Sequence, residues 1–177
     1  IVKGQVDGVQ FAGFGNSVWG EVTGAQFGGF YNVNRRYTMG AQFAGFINMV
    51  GDSADAMQFA GFTNVTAGNH KGMQAAGFNN TVTGNLEGGQ VAGFANTASG
   101  NVEGAQISGF ANVATGDVTG AQVSGFVNVA KKLKGTQIGV FNYCDSVEAG
   151  TPIGFLSFVR HGYHRFEFGG NEVLWAN

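Results

Sequence analysis

Polar and apolar positions along this chain follow a pattern that returns every 16 residues. Gln stands at Gln10, Gln26, Gln42, Gln58, Gln74, Gln90, Gln106 and Gln122. Phe follows at Phe14, Phe30, Phe46, Phe62, Phe78, Phe94, Phe110 and Phe126, and Asn at Asn16, Asn32, Asn48, Asn64, Asn80, Asn96, Asn112 and Asn128. The residue after Gln is Phe11, Phe27, Phe43, Phe59, Ala75, Val91, Ile107 or Val123, and the next is always Ala, Gly or Ser. Period-two alternation through Gly24, Gln26, Gly28, Phe30 and Asn32, with many β-branched residues, predicts short strands. Helix is disfavoured, because each Gly inside one costs ~1 kcal/mol and Gly recurs several times per unit. Gly20, Gly24 and Gly29, with their equivalents, mark bends that need a positive φ or a close backbone approach.

A 16-residue unit can form one hairpin or one coil of a solenoid. The unbroken period favours the coil, because stacked coils place identical residues above each other ~4.8 Å apart. The predicted fold is all-β, a parallel β-solenoid (β-helix or β-roll) of nine to ten coils and ~45 Å. Buried Gln and Asn amides would then bond coil to coil, as in amide ladders. The Phe column is expected inside with them, so that Phe94→Ala would cost roughly 3–5 kcal/mol as a buried truncation. Variable positions such as Gly15, Tyr31, Ile47 and Thr63 are expected to face outward. The solenoid is assigned to residues 1–157, and 158–177 to a cap or the start of a following β region, since Phe158 to Phe168 breaks the repeat. Residues 1–8 match the end of a coil, so the chain reads as a piece of something longer.

Composition narrows the classes. Gly numbers 32 but Pro only one, which excludes collagen. Hydrophobic residues make up 44%, with 17 Phe, which is enough to bury. Charged residues are 11% and the net charge is −2, without the basic face that nucleic acid requires. Such a weakly charged surface also favours lateral association. No apolar run is long enough for a transmembrane helix. Cys144, the one cysteine, makes no intrachain disulfide and is expected as a small apolar residue.

The chemistry sought gives little. His161 and His164 stand near Cys144 in sequence but lack a fourth ligand at zinc-site spacing. Asp7, Asp52, Asp55, Asp117 and Asp145 do not form the repeated acidic position of a calcium-loaded roll. No phosphate-binding or dinucleotide glycine motif is complete. Glu87 and Glu103 are one coil apart and would stack at ~5 Å, a solvated column rather than a catalytic pair. No catalytic residue, metal or cofactor is therefore expected. Tyr31, Arg35, Arg36 and Tyr37 form the one distinctive cluster and are taken as a candidate interaction surface.

The segments Lys134-Gly135-Thr136-Gln137-Ile138-Gly139-Val140-Phe141-Asn142 and Gly150-Thr151-Pro152-Ile153-Gly154, with Gly162-Tyr163-His164 beyond, resemble the bacterial surface-repeat proteins of the leptospiral type. Those proteins carry tandem Gly-x-Gln-x-Gly-x-x-Asn units and a Pro-Ile-Gly and Asn-Gly-Tyr-His closing segment. His161 stands where that segment has Asn, and over 8–134 the match is looser, with one more residue between Gln and Asn. The resemblance implies an exported, non-enzymatic protein at the cell surface or outer membrane of a Gram-negative bacterium. The expected role is a scaffold, spacer or interaction platform. The alternative is an adhesin-like module that binds carbohydrate or host ligands on a flat face. Expected partners are other surface proteins, glycans or further copies of the chain, with any membrane association made through regions outside it.

Overall fold

The computed structural model describes residues 1–161, which wind into a parallel β-solenoid of about ten coils. The described residues contain no helix. Each coil has a long leg and a short leg. The first two coils are β1 (Val6–Ala12) and β2 (Gly15–Val18), then β3 (Val22–Gly28) and β4 (Tyr31–Asn34). Seven- and four-residue strands alternate in this way to β15 (Val118–Ser124). β16 (Val127–Ile138) and β17 (Phe141–Ile153) run through the second corner without a break, and β18 (Leu156–Val159) ends the described rod. All pairings are parallel, and like meets like: Gln10 pairs with Gln26, Phe11 with Phe27, and Asn16 with Asn32.

Two corners join the legs, one at Gly13-Phe14 and its equivalents and one at Trp19 to Glu21 and theirs. The third residue of the long leg is Gly8, Gly24, Gly40 and their equivalents, where φ is positive. Only Gly adopts that conformation without a steric penalty. The fourth coil has Ala56 at this place and keeps an ordinary φ, which buries the Ala56 methyl group.

The interior is thin and mostly polar. Gln26 to Gln137 and Asn32 to Asn142 are buried in unbroken columns. Each Gln Nε2 donates to the Gln Oε1 of the coil before, as in Gln26 to Gln10 at 2.7 Å and Gln106 to Gln90 at 2.8 Å. Each Asn Nδ2 donates the opposite way, as in Asn80 to Asn96 at 2.9 Å and Asn96 to Asn112 at 3.0 Å. The same Asn Nδ2 reaches the first-corner end of the next long leg, for example the Ile107 carbonyl at 2.8 Å from Asn96. Burying this many amides is tolerable only because nearly all are paired.

The Phe column lies elsewhere than expected. Phe30 to Phe126 are 38–43% exposed, and Phe14 is more so. Reading one alternation from Gly24 to Asn32 placed Phe30 on the inner side with Gln26. The chain instead leaves β3 at Gly28, turns at Gly29-Phe30, and re-enters as β4 with Asn32 inward. The alternation resumes with the same parity after the turn, and only Phe30, at the turn itself, points out.

At the second corner the inward residues come in pairs four apart, and each pair is matched in polarity. Val18 faces Val22, Val82 faces Leu86 and Ala98 faces Val102, whereas Asn34 Nδ2 donates to Thr38 Oγ1 at 2.8 Å and Thr66 Oγ1 lies 3.2 Å from His70 Nδ1. A polar residue alone there would be an orphan in the core, so both partners change together. From Val82 onward this strip is a continuous apolar cluster ending at Leu133 and Cys144.

The ninth coil is one residue shorter, yet the ladders pass through it: Gln137 donates to Gln122 at 2.7 Å and Asn128 to Asn142 at 2.9 Å. The missing residue comes out of the first corner, where Phe141 now pairs with Val127 and its ring meets Phe126 edge-on at 5.0 Å. In the tenth coil Pro152 pairs with Gln137 and supplies no donor, so the Gln137 Oε1 is buried without a partner. Ser157 does continue the other column, accepting from Asn142 at 3.3 Å. Phe158 and Val159, assigned above to a cap, still belong to the solenoid, since they pair with Tyr143 and Cys144. The remainder of the expected cap, 162–177, lies outside the described residues.

Candidate interaction surface

The first corner is an aromatic edge. Phe14, Phe30, Phe46, Phe62, Phe78, Phe94, Phe110 and Phe126 stack face to face with centroids 4.7–5.4 Å apart. Beside them, on the outer side of the long legs, Phe11, Phe27, Phe43 and Phe59 form a second stack at 4.7–5.2 Å. Gly13 and its equivalents at the corner carry no side chain, and an apolar trough opens there. It runs from Phe11 to Gly93, holds about 1110 Å³, and is lined by the second Phe stack, Ala12 and Gly13 and their equivalents.

Charge is segregated from this edge. No charged residue stands from Gly8 to Val18, nor at the equivalent positions of any later coil through Val159. Every charged residue of the described chain falls at the second corner or at the first residues of the long leg. The pattern was present in the sequence as charge-free blocks of about eleven residues at a 16-residue step, and composition alone did not show it.

The Tyr and Arg residues singled out from the sequence are not brought together. Tyr31 opens β4 at the aromatic edge, its ring 5.6 Å from Phe14 and edge-on to it. Arg35 lies past the far end of that strand, its guanidinium 4.3 Å from the Trp19 ring centroid. Tyr37 lines a separate polar groove of about 410 Å³ with Asn69, Asn85, Asn101, Lys71 and Glu87 among its walls. Arg36 is exposed between them. Comparison with protein-family models, curated proteins and solved structures finds no match.

The polar groove contains a third ladder that sequence reasoning missed. Asn69 Oδ1 accepts from the Asn85 backbone N–H at 2.8 Å, Asn85 Oδ1 from Asn101 at 2.8 Å, and Asn101 Oδ1 from Asp117 at 2.9 Å. The Gly-Asn and Gly-Asp turn pairs at 68–69, 84–85, 100–101 and 116–117 were its signal. In the same groove Glu87 pairs with Glu103 in register, but the Lys71 Nζ sits 3.0 Å from the Glu87 carboxylate. That pair raises the Lys71 pKa, and both side chains are well exposed. Cys144 is fully buried, and desolvation pushes its thiol up to about 11. Among the described residues no three His, Cys, Asp or Glu side chains are grouped to hold a metal.

His70 is the one buried imidazole among the described residues. Burial lowers its pKa to about 4, opposed by the Ala56 carbonyl and the Asp55 carboxylate. An unfolded His takes its proton near pH 6.5, the folded one only near 4, so the unfolded state binds more protons between those values. Stability is therefore full above about pH 6.5 and falls as pH drops through that window, by up to ~3 kcal/mol. Urea titrations near neutrality and at about pH 4.5 should show that loss, and His70→Leu should remove most of it. An equal acid loss in the variant would exclude His70 as its source.

Proposed function

We propose that this chain is a non-enzymatic scaffold and interaction platform, a stiff rod that presents one apolar aromatic edge. The observation that carries the reading is the segregation of charge: stretches of ten or eleven residues in every coil hold Phe and no charge, while the opposite corner holds the charged groups. Exposed apolar area of this extent on a folded rod marks an interaction surface. Placement at a bacterial cell surface follows from the resemblance of 134–164 to the leptospiral-type surface-repeat proteins. The test is protease shaving of intact cells that express the protein: loss of the chain without lysis is expected, and full protection would overturn the surface placement.

A second reading, glycan binding, draws on the partly exposed Phe rings that line an open apolar trough. Saturable binding of one sugar class on a glycan panel, lost in Phe43→Ala, would select it over the scaffold reading.

A further inference from the structure

We propose that the aromatic edge is a self-association surface, occupied by a second copy of this chain lying antiparallel, edge against edge. The proposal rests on the interaction-platform reading and names the partner.

Straightness of the edge comes first. From Phe30 to Phe110 successive rings are tilted by only 1–5° and lie 4.7–5.0 Å apart. Sheets ordinarily twist by about 20° per strand, and two twisted columns would touch at a point and diverge. Two untwisted columns stay in contact along their length. Pitch comes second. Knobs that repeat at the coil spacing are met in register by a surface with the same repeat, and a second copy has it.

Area and charge agree. At roughly 200 Å² per Phe side chain, the exposed fractions of the eight rings amount to on the order of 700 Å². That is close to the ~800 Å² per partner of a stable interface before the neighbouring Phe11, Val91 and Ile107 are added. No charge lies on the edge, so contact neither buries an ion nor opposes like charges. The corner backbone is already satisfied by the previous coil, as in Phe62 N–H to the Phe46 carbonyl at 3.0 Å and Phe78 N–H to the Phe62 carbonyl at 2.9 Å. The edge thus offers a dry, apolar seam. A lipid surface is the less suited occupant: no Lys or Arg flanks the edge to meet headgroups.

A two-fold axis perpendicular to the rod makes such a contact isologous and closed. Overlap is greatest when the axis passes between Phe62 and Phe78, the middle of the eight rings, and each one-coil slip loses a pair of contacts. Phe62 and Phe78 are then the centre of the interface, and Phe14 and Phe126 its rim.

Sedimentation of the full 177-residue chain between roughly 1 and 100 µM tests this. The expected species has twice the mass of the 18.4 kDa chain. Phe62→Asn with Phe78→Asn should weaken association at least about tenfold, and Phe14→Asn with Phe126→Asn clearly less. Far-UV circular dichroism checks the fold, and Phe62→Thr with Phe78→Thr, which keeps strand-forming residues, replaces the Asn pair if that unfolds. If both central pairs unfold, dilution of the unmodified chain decides alone. A chain that stays monomeric throughout, or one whose central and terminal pairs act equally, overturns the proposal. A monomer that floats with phosphatidylcholine vesicles overturns it too, assigning the edge to lipid and leaving the platform reading intact.

Discussion

Asn96→Ala should destabilise the rod by about 3–5 kcal/mol, more than any single Phe truncation on the aromatic edge. Asn96 is fully buried, and its Nδ2 donates to the Asn112 Oδ1 at 3.0 Å, the Ile107 carbonyl at 2.8 Å and the Gln90 carbonyl at 3.3 Å. Its Oδ1 accepts from Asn80 at 2.9 Å. Alanine removes all four contacts, takes the Asn96 donor away from the buried Asn112 Oδ1, and leaves a void that the fixed coil spacing cannot close. Each buried group left without its partner costs about 1–3 kcal/mol. Phe94 is 43% exposed and keeps part of its ring in water already, so Phe94→Ala should cost roughly 1–2 kcal/mol, about half of a buried truncation. Chemical denaturation of both variants against the parent gives the ranking. A Phe94→Ala cost above that of Asn96→Ala would mean that the rings, rather than the amides, bind the coils together.

The contrast shows what the sequence could and could not reveal. An unbroken 16-residue step is enough to specify parallel, in-register stacking, because only that geometry rewards the same residue at every level. The Gln and Asn columns follow, since amides that are both donor and acceptor can bond to copies of themselves. The same logic misplaced Phe. A ring stacked on identical rings gains contact whether the column lies inside or outside, so invariance says that a column exists and not which side it faces. The side depends on the corner: the inward positions keep one parity on both legs, Gln26 and Gly28 on β3 and Asn32 and Asn34 on β4, and only Phe30, at the turn between them, leaves the pattern. Once that corner is placed, other features become readable: the Thr66 and His70 pair, the Asn69, Asn85 and Asn101 ladder, and the charge-free blocks. The Tyr31 to Tyr37 cluster fails for the same reason, because neighbours in sequence that straddle a four-residue strand end at opposite corners.

The first corner should be unforgiving of an added methyl group. Gly109 packs so closely under the preceding coil that a Cβ would fall on the Gly93 carbonyl oxygen, well inside van der Waals contact. Gly93 meets Gly77, and Gly125 meets Gly109, in the same way. A backbone carbonyl cannot rotate aside as a side chain can. Relief requires spreading the two coils, but the Asn96–Asn112 bond at 3.0 Å and the Gln106–Gln90 bond at 2.8 Å hold them at their present separation. Gly109→Ala is therefore expected to cost at least about 3 kcal/mol, the upper end for overpacking. Gly89 provides the matched control: a Cβ there meets nothing nearer than the Ala105 carbonyl oxygen at 3.8 Å, and Ala25, Ala41, Ala105 and Ala121 occupy the equivalent place. Gly89→Ala should be neutral or stabilising by up to about 1 kcal/mol, through loss of unfolded-state freedom. Thermal and urea melts of the two single variants measure the difference directly. A Gly109→Ala protein within ~1 kcal/mol of Gly89→Ala would show that the coils can part at the aromatic edge, and that their spacing is not set by the amide ladders.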